Sequence, residues 1–152
     1  MKLLELIGGG YAVIDDEDFA RLANRKWYIL KKTGYVVSCE LPAKYLHKEI
    51  LGEPPTGLEW DHKNRNKLDN QKANFRTATH SQNCANAERH RNNTSGFKGV
   101  GPFKPRPGVY RARIRVNKRL IALGYFRDKI EAARAYDDAA RKYFGEFAVT
   151  NF

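Results

Sequence analysis

Cysteine is scarce in this chain of 152 residues: Cys39 and Cys84 are the only two, and they form no CxxC pair. A zinc ribbon or Cys-rich zinc staple is therefore excluded on ligand count, and two buried free thiols in a reducing compartment are expected. Long hydrophobic runs are missing as well. No segment approaches the about 20 apolar residues that a membrane-spanning helix needs, so no membrane partner is expected. The opening Met1-Lys2-Leu3-Leu4-Glu5-Leu6-Ile7-Gly8 is interrupted by Glu5 and followed by no small-residue cleavage site, so it reads as folded chain rather than a secretion signal. A cytoplasmic location is expected, that of the host cell if the chain is phage-encoded. Acid is absent from one long stretch. Between Arg89 and Arg127 there is no Asp or Glu, while Lys or Arg stands at 89, 91, 98, 104, 106, 111, 113, 115, 118, 119 and 127. The formal net charge is +11, and outside this stretch the charges balance. Charge kept for solubility would be scattered, so this block points to a polyanionic partner.

What is present divides the chain into short elements suited to one ordinary domain or two small modules. Residues 3–7 and 11–15 read as strands around Gly8-Gly9-Gly10. Asp15 or Asp16 can cap a helix running to Arg25, with Phe19, Leu22 and Ala23 on one face. Trp27–Lys32 and Tyr35–Leu41 suit a hairpin across Thr33-Gly34, and a helix from Ala43 to Leu51 is stopped by Gly52 and Pro54-Pro55. Residues 1–58 read mainly as scaffold. Leu58–His62 and Phe75–Ala78 make a second hairpin, after which Thr79 can cap a helix from His80 to about Glu88.

Chemistry is concentrated around that hairpin. Asp61 and His62 stand together, Asn74 follows within Ala73-Asn74-Phe75-Arg76, and Asn83 closes the set in Ser81-Gln82-Asn83. The segment between them, 63–70, is too polar and turn-prone to be a core element. This arrangement resembles the HNH endonucleases, ββα-metal nucleases common in phages and mobile introns. The resemblance implies that His62 is the general base, that Asp61 and Asn83 hold a divalent metal, and that Asn74 orients the loop and through it the histidine. It also implies that Asn83, standing where the family has a final His, favours magnesium or manganese over zinc. An imidazole suits proton abstraction near neutral pH, and one hard cation can clamp a scissile phosphate. The other histidines read as structural (His47), as solvent-exposed with a lesser claim as a spare ligand (His80), and as linker charge (His90). Arg76 is poised equally between a phosphate and an acidic partner. Asp69-Asn70 is expected to brace the loop.

Residues 89–95 form a basic linker without periodicity. Beyond it, strands are expected at 95–100, 109–116 and 120–126. In the middle one Tyr110, Ala112, Ile114 and Val116 alternate with Arg111, Arg113 and Arg115. A helix follows from Asp128, with Glu131 as capping-box acid and Ile130, Ala133, Tyr136, Ala140 and Tyr143 as its apolar face. Tyr136, Tyr143, Phe126 and Phe144 read as core. Three pieces here, Gly96-Phe97-Lys98-Gly99-Val100, Leu123-Gly124-Tyr125-Phe126 and Glu131-Ala132-Ala133-Arg134-Ala135-Tyr136-Asp137, together with the tail Gly145–Phe152, resemble the APETALA2-type DNA-binding domain. Where the plant domains carry Arg and Trp on the outer strands, this chain has Gly101, Phe103 and Ala122, so no plant target sequence carries over.

The expected class is α+β: an HNH nuclease domain over 1–88 with its ββα-metal core at about 58–88, the linker 89–95, and an APETALA2-like sheet-and-helix domain over 96–152. The expected function is a metal-dependent, site-preferring endonuclease on double-stranded DNA, of the homing or free-standing phage type, acting as a monomer with no small-molecule cofactor. DNA contacts are expected from Arg76, Arg89, Arg91, Lys98, Lys104, Arg106, Arg111, Arg113, Arg115 and Lys118. The strand arginines can read guanine edges or contact only phosphates, and a merely solvated face is the weaker reading. Two rivals stand beside it: a DNA-binding regulator with a non-catalytic HNH scaffold, and an RNA-directed protein, because basic faces do not distinguish backbones.

Overall fold

Short apolar bursts separated by glycine or polar turns fold into hairpins here, each too small to bury its own side chains. The computed structural model describes residues 1–89 and 92–152. His90 and Arg91 lie outside the described residues. The chain divides into two compact units, Met1–Ala78 and Thr79–Phe152. Among the described residues it is a mixed α/β protein with small antiparallel sheets and four α-helices.

In the first unit β1 (Lys2–Glu5) pairs with β2 (Tyr11–Ile14) across Gly8, Gly9 and Gly10, all three at positive φ, where a Cβ would be strained. Helix α1 (Asp16–Leu22) follows Asp15 and ends three residues before the expected Arg25. The Leu22 carbonyl is instead taken by the Arg25 N–H and by Trp27 Nε1, each a turn-closing bond. Strands β3 (Trp27–Ile29) and β4 (Val36–Ser38) pair as a short hairpin. Helix α2 spans Leu46–Leu51, not Ala43–Leu51. Residues before it are recruited by β4: the Ser38 N–H donates to the Lys44 carbonyl at 2.9 Å, and the Lys44 N–H donates to Ser38 Oγ at 3.0 Å. Leu4, Leu6, Ala12, Ile14, Leu22, Trp27, Val36 and Leu46 make the buried core. Strand β5 (Glu59–His62) then pairs with β6 (Phe75–Ala78), as the pattern predicts.

The second unit begins with α3 (His80–Asn86), whose Thr79 cap forms a reciprocal box with Gln82. Strands β7 (Val100–Pro102), β8 (Tyr110–Val116) and β9 (Arg119–Phe126) form a sheet in sequence order. The first strand starts later than expected because Ser95 and Asn93 side chains tie residues 95–97 into a turn around the Phe97 and Val100 carbonyls. Helix α4 (Lys129–Phe144) is capped by Asp128, which accepts from the Ile130 N–H; the expected box with Glu131 gives way to this shorter bond. Its buried face is Ala132, Ala133, Tyr136, Asp137, Ala140 and Phe144, whereas Ile130 and Tyr143, expected inside, are exposed. Gly99 is obligatory: at φ 76, a Cβ there would lie 1.9 Å from the Tyr136 ring. Asp137, 1% exposed, accepts from the Asn151 and Phe152 N–H groups and from Asn151 Nδ2, clipping the tail onto the helix. Cys39 and Cys84 are both exposed, against the expected burial. Among the described residues, no helix is long and apolar enough to cross a membrane.

Candidate active site

Asp61 and His62 close β5, opposite Arg76 and Phe75 of β6. Both are buried, at 4% and 5% exposure. The strand is anchored at its start by Trp60 Nε1, which donates to the Gly52 carbonyl at 2.9 Å. Arg76 Nε donates to Asp61 Oδ2 at 2.9 Å, so the evenly balanced Arg76 takes its acidic partner in this unit.

The loop 63–74 has almost no apolar content and is built by asparagine side chains acting as backbone surrogates. Asn74 is the central brace. Its Oδ1 accepts from the Asn64 N–H at 3.1 Å, and its Nδ2 donates to Asn64 Oδ1 at 3.0 Å and to the Asp69 carbonyl at 2.8 Å. Asn64 in turn donates to Asp69 Oδ2 at 2.6 Å, and Asn70 Nδ2 donates to the Lys67 carbonyl at 3.1 Å. Arg65 takes a positive φ of 65° to let the chain reverse. The N-terminal scaffold holds this loop from outside: Val13 exchanges bonds of 2.7 Å with Leu68 and Asn70, and the Asp15 carboxylate accepts from the Lys72 N–H at 2.8 Å. The Lys72 ammonium pairs with Glu17 and, at 3.2 Å, with Asp18. Asp15, read as a helix cap, makes no side-chain cap bond and serves the loop instead.

His62 sits in an aromatic pocket within the same unit. Its ring lies 4.3 Å from Phe75, 5.9 Å from His47 and 6.0 Å from Tyr35, centroid to centroid. Burial drives its pKa down to about 4, against an Asn70 hydrogen bond and the charges of Asp61 and Asp69 that favour the protonated form. Burial, with His62 as neighbour, likewise lowers His47 to about 4. Both imidazoles are therefore neutral near pH 7, and a neutral imidazole can accept a proton. Tyr35 is pushed up from its ordinary value by burial and then by Asp61. The sequence pointed to Asp61, His62 and Asn74. It missed Asn64, the partner of Asn74, and the direct service of Asn70 to His62, although the dense run of Asn in 64–74 was the available signal.

Asn83, in the second unit, is half-buried on α3. His80 is exposed, its Nε2 3.6 Å from Cys84 Sγ. Among the described residues, no group of three or more His, Cys, Asp or Glu is placed to hold a metal. The first unit offers the Asp61 carboxylate as a candidate donor, and the amide oxygen of Asn83 belongs to the second. Both are oxygen donors, the type that hard cations such as magnesium take, whereas zinc prefers nitrogen and sulfur.

Of the expected DNA contacts, three cations in the described residues are engaged internally. Arg76 bonds Asp61, Arg89 Nη1 donates to the Gly96 carbonyl at 2.7 Å, and Lys98 Nζ donates to the Ala85 and Ala87 carbonyls at the end of α3. Lys104, Arg106, Arg113, Arg115 and Lys118 are exposed and Arg111 is half-exposed. Arg91 lies outside the described residues.

An uncharacterized HNH endonuclease of Acanthamoeba polyphaga mimivirus is 32% identical to this chain over 148 residues, 94% of this chain and 75% of the viral one. The chain belongs to the HNH endonuclease family. Within this HNH protein, a second stretch is 46% identical over 61 residues to APETALA2-like protein 2 of rice, in both the indica and japonica subspecies. That match spans 39% of this chain and only 14% of the rice proteins. No protein-family model matches the chain, and no solved structure does.

Proposed function

We propose that this HNH protein is a metal-dependent endonuclease that hydrolyses phosphodiester bonds in duplex DNA at preferred sites. One observation carries the reading: in a chain akin over nearly its whole length to an HNH endonuclease, His62 ends β5 as a neutral, hydrogen-bonded imidazole beside a loop braced by Asn74. In this reading His62 takes the proton from the attacking water. Asn74 acts one step back, keeping the loop and Asn70 in place so that the imidazole keeps its orientation. Asp61 supplies a carboxylate oxygen to a magnesium or manganese ion, and Asn83 is the amide ligand that the family resemblance assigns. The bound cation would neutralise charge on the phosphate and the departing oxygen. The ββα-metal arrangement itself, over 58–88, belongs to the proposal.

The outer face of β8, with Lys104, Arg106 and Lys118 in the flanking turns, is proposed to dock the duplex and set where cutting occurs. A second reading, a DNA-binding regulator with a silent nuclease half, draws on two observations: Asp61 already has Arg76 as partner, and His62 is a weaker base than a pKa near 7 would make it. A plasmid-nicking assay decides between them. Nicks that appear with magnesium and vanish in EDTA support the enzyme, whereas intact supercoiled plasmid with magnesium or manganese, at concentrations that shift it in a gel, supports the regulator.

A further inference from the structure

The outer face of the β7–β9 sheet is not uniformly basic. Register partners in an antiparallel pair share a face, and the arginines of β8 are each opposed by an uncharged residue of β9: Arg111 by Tyr125, Arg113 by Ala122 and Arg115 by Leu120. Leu120 is 53% and Tyr125 58% exposed, large values for apolar side chains in a strand. By strict alternation Tyr125 would face away from Leu120 and Ala122. A register shift between Ala112 and Arg113 inserts one extra residue in β9, so that Leu123 packs toward the core beside Phe126 while Tyr125 returns to the outer face. There Tyr125 meets Phe103, which follows β7, with ring centroids 4.5 Å apart. The result is a row of cations flanked by a row of apolar groups, inside a stretch of chain that has no acid.

A sheet face shaped this way matches the major groove, where phosphates and guanine edges take arginine and the 5-methyl group of thymine offers the apolar contact. We propose that Leu120, Ala122 and Tyr125, with Phe103 behind Tyr125, form an apolar reading edge for thymine methyl groups, which makes site preference depend on T as well as on the bases the arginines meet. The inference rests on the reading above that this face docks duplex DNA. Charge complementarity selects the occupant: an apolar protein partner would leave Arg111, Arg113 and Arg115 without anions, whereas a duplex serves both rows at once.

Deoxyuridine tests it, because it differs from thymidine by that methyl alone. The full chain first selects preferred duplexes from a random-sequence pool in chelator. The selected duplex is then rebuilt with deoxyuridine at each thymine in turn, and affinities are compared. Affinity falls about three- to fivefold at each contacted position, the value of burying one methyl group. Leu120→Ser and Tyr125→Ser, both exposed positions, each lose that discrimination at their own thymine while retaining the salt dependence of non-specific binding, which reports an intact fold. Equal affinity for the two forms at every position, a selected site without thymine, or discrimination that persists in both variants overturns the proposal. Wild-type binding by Arg111→Ala/Arg113→Ala/Arg115→Ala instead shows that the face does not dock DNA, and the underlying reading fails with it.

Discussion

The two units use charge in opposite ways. Residues 1–78 hold 13 Lys and Arg against 11 Asp and Glu, and residues 79–152 hold 15 against 6. In the first unit the acids are consumed internally: Asp15 and Asp69 bind loop backbone, Asp18 and Glu17 hold Lys72, Glu40 and Glu49 share Arg25, and Asp61 takes Arg76. In the second, Asp137 is spent on the tail, and the sheet keeps its arginines on the outside. A polar loop cannot be held by burial, so the first unit needs directed bonds to fix the loop beside His62. The second unit has an ordinary apolar core and leaves Arg113 and Arg115 exposed and Arg111 half-exposed on its sheet. Under the proposed function the general base His62 falls in the first unit and the basic sheet face in the second, and this separation is what experiments can break.

The largest effect is expected from His62→Ala. Cleavage should drop by about 10² to 10⁴, typical for loss of a general base, with duplex affinity unchanged in a titration. Retained activity would remove the base from the first unit and the division with it. Next comes Arg111→Ala/Arg113→Ala/Arg115→Ala, which should weaken binding steeply. If each arginine neutralises one phosphate, the log–log salt slope becomes shallower by about 2.7. Single-turnover cleavage at saturating enzyme should stay near wild type; a variant that binds normally yet cannot cut would move the basic strand into the active site.

Asn74→Ala leaves the Asn64 N–H and the Asp69 carbonyl without their partner. A stability loss of about 1–3 kcal/mol is expected in denaturant melts, together with slower cleavage, while the affinity of the second unit for DNA holds. The last effect is one of pH. Burial holds His47 and His62 below their unfolded values, so the unfolded chain binds more protons between pH 6.5 and about 4. Their share of stability is complete above pH 6.5 and is lost as pH falls toward 4. His47→Phe should flatten that decline in denaturation midpoints measured at pH 7 and 4.5; an unchanged slope would mean that His47 is solvated.

Local signals were legible because the interactions behind them are local. The capping box at Thr79 and Gln82 lies within one turn, the β8 alternation needs only the pleat, and β6 was bounded by the polar loop before it and the cap after it. Asp61, His62 and Asn74 stood out by type and spacing, and so did the acid-free block. What the amino-acid order could not decide was settled by pairings between distant segments. Residues 43–45 lie extended because Ser38 of β4 takes both polar groups of the Lys44 backbone. Asp15 left its helix cap for a loop more than fifty residues away. Neutral His62 is a product of burial among Tyr35, His47 and Phe75, three residues contributed by different elements. Tyr125 faces outward only because one extra residue shifts the β8–β9 register. Periodicity and capping depend on neighbours along the chain, whereas burial, register and the choice among competing hydrogen-bond partners depend on which segments meet in space.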